Sequence, residues 1–131
     1  MFHFNHFNFN VLNLEKSLQF YQEALGLHEV RRKEAEDGSF ILVYLGDSNG
    51  DFTLELTWLR DRVEKYDLGD EEFHLAFVTD QYEEAYKKHK EMGVILFENP
   101  EMGIYLLGIR MDTGSRLSGI VTSRGRDVSF L

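Results

Sequence analysis

Residues 6–26 read HFNFNVLNLEKSLQFYQEALG, and residues 73–93 read FHLAFVTDQYEEAYKKHKEMG. In the first, alternation from Phe2 to Val11 puts Phe4, His6, Asn8 and Asn10 on one face and Phe7, Phe9 and Val11 on the other. A period of two predicts a strand. Asn13 is then placed to cap a helix, and Gly26 to close it in the left-handed conformation. Leu14, Leu18, Tyr21 and Leu25 supply the apolar stripe by which such a helix lies on a sheet. The second stretch repeats the rhythm. Phe73–Val78 predicts a strand, Asp80 and Glu83 resemble a capping box with Asp in the Ser/Thr place, and a helix runs to Met92 before Gly93 ends it. His6 precedes Gly26 by 20 residues, His74 precedes Gly93 by 19, and the two histidines are 68 apart. That period is longer than any solenoid repeat and points to a duplicated βαβββ unit.

Working outward, Leu27–Arg32, Phe40–Leu45 and Phe52–Trp58 predict three further strands, separated by the turn-forming stretches EAEDGS and GDSNGD. A polar segment, 59–72, connects to the second cycle. There Val94–Phe97 predicts a strand, Asn99-Pro100-Glu101 a turn, and Gly103–Leu107 the start of another strand. The expected class is α+β, with two βαβββ modules pairing half-sheets and carrying their helices outside. The whole chain, 1–131, is expected to form one domain: module one about 1–58, connector about 59–72, module two about 73–118, tail about 119–131.

Composition narrows the partners. The absence of cysteine removes disulfides, thiolate metal sites and a cysteine nucleophile. A net charge of −9 argues against nucleic acid or anionic lipid. No apolar run is long enough to span a membrane, and MFHFNHFNFN lacks the basic start and apolar core of a secretory signal. A cytoplasmic protein acting on a small molecule is therefore expected. The charge is uneven: residues 1–106 hold 10 Lys+Arg against 21 Asp+Glu, and residues 107–131 hold 4 against 2. The chain contains one proline, where about 5% is usual.

His6, Glu55 and His74 are the candidate ligands. Each is expected inside a strand with apolar neighbours, where an ionisable side chain needs a partner. Glu55 shares its face with Thr53 and Thr57, while Leu54, Leu56 and Trp58 face away. Two imidazoles and a carboxylate suit Zn²⁺, Ni²⁺ or Fe²⁺, although a single strand histidine is more often a hydrogen-bonded core residue. His3, His28 and His89, the acidic stretches 34–37 and 69–72, and Tyr82 and Tyr86 read as structural or solvated.

These residues resemble the vicinal-oxygen-chelate superfamily and, within it, the glyoxalase I (lactoylglutathione lyase) family. The resemblance rests on residues 6–21, Glu-Ala-Leu-Gly-Leu at 23–27, Leu54-Glu55-Leu56-Thr57-Trp58, Lys65-Tyr66-Asp67-Leu68-Gly69 and Phe73-His74-Leu75-Ala76-Phe77, and covers residues 1 to about 106. It implies two βαβββ modules forming a cupped sheet around a divalent metal, Ni²⁺ or Zn²⁺ foremost, with Co²⁺, Mn²⁺ or Fe²⁺ as alternatives. By position, His6, Glu55 and His74 match three of four metal ligands, and Glu55 is the catalytic carboxylate. The metal polarises the hemithioacetal of methylglyoxal and glutathione, and a ligand carboxylate moves a proton between adjacent carbons through an enediolate, giving S-lactoylglutathione. A homodimer is implied, its site drawn from one chain or two. Two departures put glutathione as the thiol in doubt: Asn10 stands where the family commonly has arginine, and Leu59 where it commonly has asparagine.

The fourth family ligand is a glutamate in a final strand of the form Asp-Pro-Asp-Gly-Tyr-x-x-Glu, which this chain lacks. Residues 109–117 read Ile-Arg-Met-Asp-Thr-Gly-Ser-Arg-Leu. The synonymous codons ATC CGG ATG GAT ACT GGC TCG AGA TTG, read from the third base, give Pro-Asp-Gly-Tyr-Trp-Leu-Glu-Ile. That is the family motif, with its glutamate overlapping Arg116. The tail from about residue 107 thus reads as the product of a shifted frame, with the last strand altered and the lyase impaired by loss of its fourth ligand. The alternative is a divergent tail still forming a strand through Ile109, Met111 and Thr113. A non-catalytic superfamily member that sequesters a small molecule is the alternative function, and an extradiol-dioxygenase-like Fe²⁺ enzyme a weaker third.

Overall fold

A computed structural model describes residues 1–108 and 119–123, and the backbone divides into two compact units, Met1–Tyr66 and Asp67–Leu131. Among the described residues each unit holds one four-stranded mixed sheet and one helix in βαβββ order, so the α+β class and the duplicated unit expected from the 68-residue period are both found. Among the described residues no helix is long and apolar enough to cross a membrane.

In the first unit β1 (His6–Val11), α1 (Leu14–Leu25), β2 (His28–Glu34), β3 (Phe40–Gly46) and β4 (Thr53–Leu59) make a sheet of order β1-β4-β3-β2. The β1–β4 pair is parallel, as a helical crossover requires, and the other two are antiparallel. Phe9 and Val11 of β1, Val43 and Leu45 of β3, and Leu54 and Leu56 of β4 are buried, on the sheet face that carries α1. The helix begins where expected: Asn13 Oδ1 accepts the Lys16 N–H at 3.0 Å, and Gly26 closes it at φ 66°.

Its buried face differs from the predicted stripe. Ser17, Phe20, Tyr21 and Ala24 are buried, while Leu14, Leu18 and Leu25 are only half-buried flanks. Ser17 and Ala24 are small, and the buried Ser17 hydroxyl is satisfied by donating to Asn13 O at 2.8 Å. Of the predicted stripe, Tyr21 alone is fully buried. Leu56, fully buried under α1, is the natural test of this core. Leu56→Ala is expected to cost about 2–5 kcal/mol, read as a lower urea midpoint at unchanged m-value.

In the second unit β5 (Leu75–Thr79), α2 (Tyr82–Glu91), β6 (Ile95–Asn99), β7 (Ile104–Leu107) and β8 (Gly119–Ser123) make a sheet of order β5-β8-β7-β6, with β5–β8 parallel. The predicted capping box is not formed. Gln81, not Asp80, is the N-cap, with no side-chain bond to the helix, and Thr79 Oγ1 accepts the Gln81 N–H at 3.1 Å. The last strand lies at Gly119–Ser123, within the stretch assigned to the tail. Gly119 has a steric reason: a Cβ there would stand 3.1 Å from the Phe77 ring and 3.3 Å from the Leu75 carbonyl oxygen. Tyr105 and Leu107 form the centre of this core, and the buried His89, read from sequence as structural or solvated, is tied by Nδ1 to the Tyr105 hydroxyl at 2.8 Å. Burial pushes the Tyr105 phenol, helped by nearby Tyr82, well above its ordinary range, so it stays protonated. The alternating run Ile109, Met111, Thr113 and the candidate Arg116 lie outside the described residues.

Candidate metal centre

The β1–β4 ladder builds the site. Parallel pairing sets His6 opposite Thr53 and Asn8 opposite Glu55, and the antiparallel β3–β4 ladder sets Tyr44 opposite Glu55. Because side chains alternate, His6, Asn8 and Asn10 share the sheet face turned away from α1 with Tyr44, Glu55 and Thr57. His6 Nε2 lies 3.0 Å from Glu55 Oε2. The Thr57 hydroxyl lies 2.7 Å from Asn8 Oδ1 and 3.0 Å from Glu55 Oε1. Having one proton, it donates to one of them at a time. Asn8 Nδ2 donates to Asn10 Oδ1 at 2.9 Å, so Asn8 is oriented from both ends. The Tyr44 ring stands edge-on to the His6 imidazole at 5.8 Å, and its other neighbour is the Arg31 guanidinium, 4.3 Å from the ring centroid.

Glu55 is 8% exposed. A buried carboxylate is tolerated because imidazole and hydroxyl supply the polar partners that water would otherwise give. The argument that burial demands a partner holds for Glu55 and not for the histidines. His6 heads its strand and is exposed; His74 is exposed and precedes β5 rather than lying in it. Thus the structure brings His6 and Glu55 together, and describes His74 separately, in the second unit. Among the described residues no three histidine, aspartate or glutamate side chains converge as a metal cluster.

An imidazole nitrogen and a carboxylate oxygen approaching from adjacent strands are a fitting first pair of donors for a borderline divalent ion. The Thr57 hydroxyl, with Asn8 beside it, stands against Glu55 Oε1, the place outer partners of metal ligands commonly take. Tyr44 and Arg31 had no signal in the sequence. Only the ladder register brings them beside Glu55, whereas Thr57 was legible from strand alternation alone. On the helix side of the second unit, a cleft of about 260 Å³ is lined by Tyr82, Tyr86, Glu98 and Tyr105. It is a packing of tyrosines: Tyr82 and Tyr86 each stand edge-on to Tyr105 at 5.5 Å, and the Tyr86 hydroxyl donates to Glu98.

Similarity to known proteins follows the same lines. The chain is 42% identical over 90 residues to a lactoylglutathione lyase of Neisseria meningitidis serogroup A, covering 67% of this chain and 64% of that protein. The chain thus spans a little under two thirds of that relative. It is 33% identical over 130 residues to a probable lactoylglutathione lyase of Synechocystis, covering 93% of this chain and 97% of that one. In fold it is similar to the trypanothione-dependent glyoxalase I of Leishmania major, with a TM-score of 0.76 at 21% identity, over 94% of this chain and 87% of that one. Residues 3–108 match the family described as Glyoxalase/Bleomycin resistance protein/Dioxygenase superfamily. With its two βαβββ units and its His6–Glu55 pair, the chain belongs to that superfamily and, within it, is glyoxalase I-like.

Proposed function

We propose that the protein is a metal-dependent lyase of the glyoxalase I kind, acting on the hemithioacetal of methylglyoxal and a thiol to give the S-lactoyl thioester. The observation that carries this reading is the 3.0 Å pairing of His6 Nε2 with Glu55 Oε2 on a polar sheet face. It is supported by 42% identity to a lactoylglutathione lyase. His6, Glu55 and His74 are the residues that would hold a divalent ion, Ni²⁺ or Zn²⁺ foremost. When bound, such an ion supplies Lewis-acid polarisation of the substrate oxygens.

The chain's own part is proton movement. Glu55 takes the proton from the carbon bearing sulfur and returns it to the neighbouring carbon, so no atom is gained or lost overall. Thr57 suits this role because its single hydroxyl proton can turn to Glu55 Oε1 when the carboxylate is charged, and to Asn8 Oδ1 when the carboxylate carries the substrate proton. The test follows thioester formation from methylglyoxal and thiol in metal-loaded protein, for the stated chain and for one with the second reading frame restored; no turnover by either with any thiol overturns the assignment. The protein is read as a cytoplasmic homodimer, which size-exclusion chromatography with light scattering checks.

The thiol is read as glutathione or another, with glutathione disfavoured because Asn10 and Leu59 stand where the family commonly has arginine and asparagine. Arg31, held against Tyr44 at 4.3 Å, offers a guanidinium on the sheet that carries Glu55 and suits an anionic group on that thiol. Arg31→Ala is expected to raise KM for an anionic thiol by about 10- to 150-fold, equivalent to one charge-assisted bond, with kcat little changed. An unchanged KM removes Arg31 from this role.

The stretch from about residue 107 is read as a shifted frame. Loop length supports this. In module one Tyr44 and its ladder partner Glu55 are 11 residues apart, whereas in module two the equivalent partners Leu106 and Ile120 are 14 apart. A glutamate at the Arg116 position would stand 10 from Leu106, close to the first-module spacing.

A further inference from the structure

The tyrosine cleft of the second unit has the chemistry of a cation site. Tyr82 and Tyr86 are four residues apart, about one turn of α2, and so share a face of the helix. The antiparallel β6–β7 ladder sets Glu98 opposite Tyr105, and residues opposite each other put their side chains on the same side of a sheet. Tyr105 is fully buried and backs both helix tyrosines, whose rings meet it edge-on at interplanar angles of 63° and 76°. Tyr82 and Tyr86 are half-buried, and Glu83 and Glu98 are exposed. Together they border a cleft of about 260 Å³, several times the roughly 30 Å³ that one water takes up. Its lining residues all fall within 82–105, in one unit and ahead of the stretch read as a shifted frame.

We infer that this cleft binds a small organic cation of the alkylated-ammonium class, with its alkyl groups against the Tyr82 and Tyr86 rings and its charge met by Glu98 and Glu83. An aromatic ring presents a negative face, and cations placed over that face are attracted to it. The Tyr86 hydroxyl donates to the Glu98 carboxylate, and such a bond polarises the phenol and strengthens the negative face of its ring. The ring already attracts one charge of the chain's own: Lys90 Nζ lies 5.5 Å from the Tyr86 centroid, from a side chain that lines the neighbouring groove rather than this cleft. A primary ammonium carries three N–H donors and a firmly held hydration shell, which half-buried rings satisfy poorly. An alkylated one has fewer donors to satisfy and apolar surface to set against the rings and Pro100. The site is independent of the lyase reading, since no residue of the His6–Glu55 face takes part.

The experiment titrates the isotope-labelled full chain, at constant ionic strength, with choline chloride and separately with dimethylbutanol, the uncharged carbon isostere of choline, and follows backbone amide shifts. Choline is expected to bind saturably, to shift the amides of Tyr82, Tyr86 and Glu98 most, and to bind about tenfold tighter than the alcohol. Glu98→Gln, an exposed change that keeps an acceptor for the Tyr86 hydroxyl, is expected to weaken choline about three- to fivefold and leave the alcohol unchanged. Tyr86→Leu is expected to weaken choline about fivefold or more. Equal affinity for choline and the alcohol overturns the inference, because the cleft is then merely apolar. So do amide shifts centred elsewhere, the absence of saturable choline binding, or wild-type choline affinity in Glu98→Gln. Should Tyr86→Leu fail to fold, the wild-type comparison and Glu98→Gln decide.

Discussion

Glu55→Gln is expected to abolish turnover, with kcat/KM falling by about 10³-fold or more, and to weaken Ni²⁺ or Zn²⁺ binding by more than about 100-fold. Loss of an outer partner alone commonly costs about 10–100-fold in metal affinity, and this substitution removes a direct donor. General acid–base catalysis contributes about 10²–10⁴-fold, and the amide can neither accept nor return the proton. The protein should still fold. Glutamine is isosteric, its carbonyl oxygen can keep the Thr57 hydroxyl at the 3.0 Å position, and its amide leaves no charge buried opposite His6. Calorimetry and thioester formation, read on protein with wild-type circular dichroism, check the two effects separately. Wild-type metal affinity in Glu55→Gln would dismiss His6–Glu55 as a metal pair, and a wild-type rate would dismiss Glu55 as the proton carrier.

A chain carrying Pro-Asp-Gly-Tyr-Trp-Leu-Glu-Ile from position 110 is expected to gain lyase turnover by about 10²-fold or more over the stated sequence. The reason is again proton transfer, since the octapeptide returns a carboxylate to the second module and shortens the path from β7 to the last strand. The restored glutamate would stand 10 residues after Leu106, against the 11 that separate Tyr44 from Glu55. Sequencing the gene is the companion measurement: codons over 109–117 that cannot be read as the octapeptide in the second frame sink the frameshift. A correctly folded restored chain without activity sinks the glyoxalase assignment itself.

Much of the first module is legible in the sequence. Period-two alternation located β1, Asn13 and Gly26 bracketed α1, and the Thr53/Glu55/Thr57 face was readable because strand alternation needs no partner to be seen. Pairing is another matter. That Asn8 lies opposite Glu55 and that Tyr44 sits between His6 and Arg31 both depend on register, which joins residues up to 49 positions apart for the Asn8–Thr57 bond. Local chemistry misled at two points. Of the α1 stripe only Tyr21 is fully buried, beside Ser17, Phe20 and Ala24, while the three leucines flank that face. Asp80 looked like a cap, but the helix starts one residue later, at Gln81, where Thr79 meets the backbone instead. The histidines were expected in strand interiors and stand at strand beginnings, where imidazole remains exposed and available as a donor.

The outermost strand of the first sheet, β2, reads His-Glu-Val-Arg-Arg-Lys-Glu and is exposed along its entire length. Its charges crowd the free edge, and a second strand adding there would have to bury them. The corresponding margin of the second sheet, β6, presents Leu96 and Phe97 to solvent, with Glu98 as its one charge. Under partial unfolding the two sheets should therefore differ in their tendency to aggregate. Fibre-like assembly, if induced by heat or acid, is expected to start from Ile95–Asn99 and to be suppressed by a lysine at Phe97.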